Sequence, residues 1–244
     1  MKRIKSDKII LSDRIVGGYV YFEDGKIADV TENEYPVSEE YDMTGLYVSA
    51  GFIDIHTHGG GGYKFEGTAE EIVGGCNFHL THGTTSICPT VSAARADDME
   101  RSAQNVKRAK NDPRLKSTVI GAHMEGPYLS EKQCGAQCAD FICAPKESEY
   151  LPMLERSGDI ICRWTYAPER DTGEKFAKAL KKYGIKASAG HTDAVYDDIV
   201  RAQAEGCELI THLYSCTSTV TRDHGFRRLG NEYTHSRIHQ YSRM

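Results

Sequence analysis

No run of apolar residues in this chain is long enough to span a bilayer, no Cys-x-x-Cys pair occurs, and no low-complexity tract interrupts it. The first absence excludes a membrane-spanning helix, and the second removes the spacing of a zinc knuckle. An excess of one charge is also missing. The 30 basic and 35 acidic residues are mixed along the chain and leave a formal charge of −5. That balance argues against a nucleic-acid surface or a polybasic membrane surface and leaves a small solute as the expected partner. The opening stretch has only the apolar run Ile9-Ile-Leu11 before Ser12 and Asp13, too short for a signal peptide. The eight cysteines are scattered, so they read as reduced thiols and predict a cytoplasmic protein. Cys134 and Cys138, in a Gly-rich, loop-like setting, read as ordinary thiols as well.

What the chain does have is a change of pattern at Gly51. Before it, Gly18 to Phe22 and Ile27 to Val30 are two short β-type runs around an Asp24-Gly25 turn, which predicts a small β-sandwich-like element over residues 1–49. After it, strand-like runs alternate with helix-like ones, the pattern of a parallel α/β fold. The strand candidates are residues 52–56, 84–88, 118–124, 160–166, 185–189 and 208–212. Helix candidates lie near 68–82, 94–110, 146–156, 172–183 and 194–206. With 244 residues, one large α/β domain with a small appendage fits the length. A closed (β/α) barrel needs eight strands and the pattern supplies six, so the expectation is an incomplete TIM-type barrel over residues 50–230. Residues 231–244 are polar, without alternation or a helical stripe, and read as a disordered tail on a C-terminally truncated or frame-shifted copy.

The polar residues that carry chemistry fall at the C-terminal ends of the candidate strands, where α/β barrels place their sites. His56 and His58 close the run Phe52-Ile-Asp-Ile-His-Thr-His58; in an extended segment residues two apart share a face, so the two imidazoles converge. The glycines 59–62 let the backbone turn away and leave open space over them. Glu125 follows one strand, His191 follows another, and His212 ends a third. A Glu with two His around an open position suits zinc or a similar divalent ion, which makes a bound water acidic enough to attack a carbonyl carbon.

The order of the motifs Gly51-Phe-Ile-Asp-Ile-His-Thr-His-Gly59, Gly83-Thr-Thr-Ser-Ile-Cys-Pro-Thr90, His123-Met-Glu-Gly-Pro-Tyr-Leu129, Tyr166-Ala-Pro-Glu169, Ala189-Gly-His-Thr-Asp193 and Thr211-His-Leu-Tyr214 resembles that of the N-acetylglucosamine-6-phosphate deacetylases of the amidohydrolase superfamily. The resemblance covers about residues 17–230 and implies a metal-dependent barrel beside a small β domain. It implies hydrolysis of the acetamide of a phosphorylated amino sugar to acetate and glucosamine 6-phosphate, in cytoplasmic amino-sugar catabolism. It maps the principal metal ligands onto Glu125, His191 and His212, and maps His56 and His58 onto a pair that serves a second metal position in some members. Ala136 and Gln137, and Ser215 and Cys216, fall where the family contacts the sugar, although the family usually has Asn and Ala at the second pair. Arg222 falls near the arginine that meets the substrate phosphate, and His224 lies within reach of the sugar.

The family's catalytic aspartate belongs to the last barrel strand, and no residue of this chain is assigned that role; Asp193 and Asp223 read as structural. Family members commonly form dimers, so a homodimer is the macromolecular partner that the resemblance implies. Two rival readings stand beside the deacetylase. One is a non-catalytic metal- or sugar-phosphate-binding remnant. The other is a different metal-dependent amidohydrolase acting on a cyclic amide or a base. An open barrel also exposes the edges of its first and sixth strands, which predicts poor stability for the chain alone.

Overall fold

A computed structural model describes residues 1–217 together with the backbone of 220–223 and 226–229. The chain divides into two compact units, Met1–Phe52 and Ile53–Met244. In the first, β1 (Lys2–Ile10) pairs antiparallel with β2 (Ile15–Glu23), and β2 with β3 (Lys26–Thr31). Two further strands, β4 (Glu39–Asp42) and β5 (Tyr47–Val48), both lie parallel to β1. The predicted Asp24-Gly25 turn joins β2 to β3, and both residues take the positive φ that a tight hairpin demands, 50° and 73°. β1 was not foreseen. Its buried positions include the polar Arg3 and Ser6, so no alternation of apolar residues marks it. Arg3 is neutralised there by ion pairs to Glu34 and Glu40, and Ser6 donates to the Leu46 carbonyl at 2.8 Å.

The second unit is an incomplete (β/α) barrel. Its wall strands are β6 (Phe52–Thr57), β9 (Thr84–Val91), β10 (Thr118–Val119), β11 (Ala122–Glu125), β12 (Ile161–Tyr166), β13 (Lys186–Ala189) and β14 (Cys207–Ile210). Two-residue strands β7 (Gly59–Gly60) and β8 (Tyr63–Lys64) form a separate ladder between β6 and the first helix. The wall follows chain order, β6–β9–β11–β12–β13–β14, with β10 also on β9. Helices α1 (Ala69–Leu80), α2 (Ala96–Lys110), α3 (Glu147–Ser157), α4 (Lys175–Lys182) and α5 (Tyr196–Ala204) alternate with the strands. β15 (Val220–Asp223) and β16 (Phe226–Leu229) form an antiparallel hairpin that the polar sequence did not announce. His224 and residues 230–244, which include the expected tail, lie outside the described residues.

Local chemistry sets the helix boundaries. Thr68 and Glu71 form a reciprocal capping box at the start of α1. The Asp171 carboxylate accepts from the amides of Phe176 and Ala177, both at 2.9 Å, and so caps α4. α4 starts later than the expected 172, because Gly173 and Glu174 both take left-handed angles. The single strand expected over 118–124 is interrupted at Ile120 and Gly121. β12 is bulged opposite, with Ala122 paired to Ile161 and His123 to Arg163, and a Cβ at Gly121 would lie 2.6 Å from the Ile160 carbonyl oxygen.

The outward side chains of the wall bury against the helices. Tyr128, Tyr150, Trp164, Tyr166 and Phe176 form an aromatic cluster in which Phe176 lies 4.9 Å, 4.9 Å, 5.2 Å and 5.5 Å from the other rings, centroid to centroid. Trp164 Nε1 donates to the Gly126 carbonyl at 2.8 Å, which ties the cluster to the turn just after Glu125. The first strand of the wall is less well covered: Ile53 and Ile55 are 66% and 45% exposed. Phe176→Ala should lower stability by about 3–5 kcal/mol through lost burial and the cavity left behind. Urea unfolding followed by tryptophan fluorescence measures this, and a change below about 1 kcal/mol would deny the cluster its role.

Candidate metal centre

Four imidazoles from the ends of three wall strands meet at one carboxylate on a fourth. Glu125 ends β11 with its side chain 1% exposed. His56 lies in β6 and His58 just after it; His191 and His212 follow β13 and β14. Glu125 Oε1 lies 3.1 Å from His191 Nε2, 2.9 Å from His212 Nε2 and 3.3 Å from His56 Nε2. Glu125 Oε2 lies 3.0 Å from His58 Nε2, and His56 Nε2 lies 3.3 Å from His58 Nε2. These atoms make two groups able to hold a cation, His56–His58–Glu125 and Glu125–His191–His212, which share the glutamate.

Backbone geometry delivers the two C-terminal histidines. His191 and His212 have φ of 49° and 55°, in the left-handed region, so each chain turns abruptly at the strand end and aims its ring back over the wall. Gly190 allows this, because a Cβ there would meet Thr211 Cβ at 2.6 Å and the Thr211 carbonyl at 2.8 Å. Glu169 clamps the turn from the β12 side: it accepts from the Thr192 hydroxyl, and from the Asp193 amide at 2.7 Å. In the glycine run after His58, Gly61 and Gly62 take the positive φ of a turn, 61° and 87°, and close packing adds a second reason at the first two positions. A Cβ at Gly59 would lie 2.1 Å from the Tyr63 carbonyl and one at Gly60 2.7 Å from His79 Nε2, so these two are demanded by close packing on β8 and α1.

The donors face one another with like polarity. His191 Nδ1 lies 2.9 Å from the Gln133 carbonyl, which only accepts, so that nitrogen carries the hydrogen. In the neutral ring, Nε2 then turns a lone pair toward the Glu125 oxygen at 3.1 Å. Two acceptors at that distance repel unless a proton or a metal cation lies between them. Burial raises the Glu125 carboxyl, yet His191, His56 and His58 outweigh it and hold the group far below the usual carboxylate range. Glu125, with Glu66 beside it, lifts His58 to about 9. Burial opposes protonation of His191, but Glu125 raises it nonetheless, whereas burial lowers His212. A buried anion ringed by four imidazoles, each able to give up a proton to a cation, is the donor set of a divalent metal.

Below the carboxylate lies a polar floor that sequence reasoning did not identify as part of the site. His123 sits between Thr90 Oγ1 at 3.1 Å and Thr165 Oγ1 at 2.7 Å, and burial keeps its ring neutral. Thr165 and Ser188 each lie 2.8 Å from Thr211 Oγ1, and the Arg163 guanidinium donates to Thr211, Ser188 and the Ile55 carbonyl. The available signal was the period of two: His123 precedes Glu125 by two residues, and Thr165 follows Arg163 by two.

The residues expected at the sugar divide. Gln137 joins the cluster: its Nε2 donates to Glu125 Oε2 at 2.9 Å and its Oε1 accepts from the Ala93 amide at 2.8 Å. Ala136 and Ser215 are exposed, and Cys216 is half-buried in the turn after His212, to whose carbonyl its amide donates at 3.1 Å. Arg222 lies in β15, and its side chain lies outside the described residues. No helix among the described residues is long and apolar enough to cross a membrane.

Comparison with known proteins gives a consistent picture. Residues 47–226 match the family described as Amidohydrolase family. The chain is 29% identical over 201 residues to the N-acetylglucosamine-6-phosphate deacetylase of Lysinibacillus sphaericus, covering 80% of this chain and 51% of that protein. It is 31% identical over 223 residues to that of Bacillus subtilis, covering 88% of this chain and 56% of that protein. A Mycobacterium smegmatis N-acetyl-D-glucosamine-6-phosphate deacetylase variant, solved in complex with N-acetyl-D-glucosamine-6-phosphate, superimposes with a TM-score of 0.81 at 26% identity, over 91% of this chain and 57% of that one. The chain thus spans about half the length of the relatives it matches. Because both donor groups share Glu125, Glu125→Gln should weaken uptake of any divalent ion by more than the roughly 10- to 100-fold that outer partners contribute. Chelator competition reads this directly; near-normal uptake would show that the imidazoles suffice.

Proposed function

The chain belongs to the amidohydrolase family, and on that premise we propose that it holds a divalent cation at Glu125, His191 and His212 and hydrolyses the acetamide of N-acetylglucosamine 6-phosphate to acetate and glucosamine 6-phosphate. The observation that carries the metal is the convergence of His191 Nε2 and His212 Nε2 on Glu125 Oε1, at 3.1 Å and 2.9 Å, with His191 Nδ1 committed to a carbonyl. Zinc suits two imidazoles and a carboxylate with a position left open. When bound, such an ion polarises the amide carbonyl and lowers the pKa of a coordinated water to near neutrality. The names of the relatives, and the sugar phosphate in the complex with 26% identity, support the substrate.

The chain's own residues do the positioning. Gln137 donates to Glu125 Oε2 beside His58, and the buried floor of Thr90, His123, Thr165 and Thr211 is tied together by hydrogen bonds from strand to strand. His56 and His58, with Glu125, offer a second cation position. Ala136, Gln137, Ser215 and Cys216 border the sugar, and Arg222 takes the phosphate, for which a guanidinium fork is matched. No residue is assigned the acid–base role: near the cluster Glu66 is engaged by Ser92, Asp54 by the His56 amide, and Glu169 by Thr192 and Asp193. A cytoplasmic location and a homodimer remain part of this proposal.

The test is acetate release from N-acetylglucosamine 6-phosphate by metal-free protein reloaded with zinc. Release should depend on zinc and vanish in Glu125→Ala. Ring opening of a cyclic amide without deacetylation of the sugar would replace this reading with the rival hydrolase, and tight sugar-phosphate binding without any release would replace it with the binding remnant.

A further inference from the structure

His58 is the most exposed of the four imidazoles at the carboxylate, with 41% of its side chain accessible. Such a ring needs an external hold. Ser92, the first residue after β9, places Oγ 3.0 Å from His58 Nδ1. The same hydroxyl lies 2.7 Å from Glu66 Oε1, and the Ser92 amide donates to that oxygen at 3.1 Å. Glu66 Oε1 itself is 3.7 Å from His58 Nδ1. Glu66 Oε1 thus receives both the amide and the hydroxyl of Ser92, and an ionised carboxylate accepts only. A hydroxyl has one proton to give. Given to Glu66, it leaves Ser92 Oγ able only to accept, and His58 Nδ1 must supply the hydrogen. In the neutral ring that a cation requires, Nε2 then presents its lone pair toward Glu125, 3.0 Å away.

The other donor group is oriented differently. His191 is fixed by the backbone carbonyl of Gln133 at 2.9 Å, a neutral partner that no side-chain substitution removes. We propose that Ser92 and Glu66 are a positioning pair for the His56–His58–Glu125 group, fixing the His58 tautomer and adding a negative charge behind it. They thereby set the affinity of that second cation position independently of the Glu125–His191–His212 position. The pair acts through His58 and touches no reacting atom. The inference rests on the metal-binding part of the proposed function.

The experiment is a titration of Co2+ into the metal-free chain, read by visible absorption and by chelator competition, for the wild type, Ser92→Ala, Glu66→Ala and the hydroxyl-retaining Ser92→Thr. The wild type should take two equivalents. Ser92→Ala and Glu66→Ala should weaken the second equivalent by about 10- to 100-fold and leave the first unchanged. Ser92→Thr should restore the second, and all metal-free variants should melt with the wild type. Equal weakening of both equivalents, no weakening of either, or a wild type that binds a single equivalent would each overturn the inference while leaving the proposed function standing. A wild type that binds no Co2+ would overturn both.

Discussion

A carboxylate withdrawn from water keeps its charge only where its surroundings supply protons or cations, because the desolvation cost is otherwise several kcal/mol. Glu125 is in that position. Its neighbours are four imidazole nitrogens and one amide, and the tautomer forced at His191 turns at least one of the nitrogens into an acceptor. The rest of the barrel end is organised around this demand. β11 carries the carboxylate at its last residue, and Trp164, clamped in the aromatic cluster, fixes the carbonyl of the very next one. A shift of the cluster would therefore move the glutamate rather than only loosen the core.

The floor beneath the site follows from the same constraint. An apolar layer there would leave the inner faces of His56 and Glu125 against hydrocarbon. Instead, Thr90, His123, Thr165, Ser188 and Thr211 pass hydrogen bonds from strand to strand, and the Arg163 guanidinium closes the chain from below. Arg163 also contributes a favourable field at Glu125, since the two influence each other's ionisation. Hydrogen-bonded networks of this kind rigidify a core, and one missing member costs more than the bond it made.

Much of this is legible in the sequence. The wall strands announced themselves as apolar runs, and each metal-type residue stood at a strand end, where barrel geometry makes such residues converge. What was hidden is physical as well. β1 buries Arg3 and Ser6, so its periodicity is invisible to a reading of apolar residues. The break between β10 and β11 depends on a bulge in a different strand, and nothing near Gly121 in sequence encodes it. The Ser92–Glu66 pair joins residues 26 apart through one hydroxyl, and only the fold brings them together. Gln137 was expected beside a sugar, yet its amide is committed to Glu125 and Ala93, a placement set by the long loop after β11.

The left-handed backbone at His191 and His212 has a consequence for how this site can vary. A side chain there must satisfy two independent filters: it must tolerate positive φ and it must donate to a cation. Asn, Asp and Gly pass the first with His, and β-branched or bulky residues fail it. Of those that pass, Asp alone brings an anionic oxygen, on a shorter reach than imidazole. The mutational neighbourhood of the site is correspondingly narrow at these two positions. Drift away from histidine there has almost no intermediate that keeps both the turn and the donor.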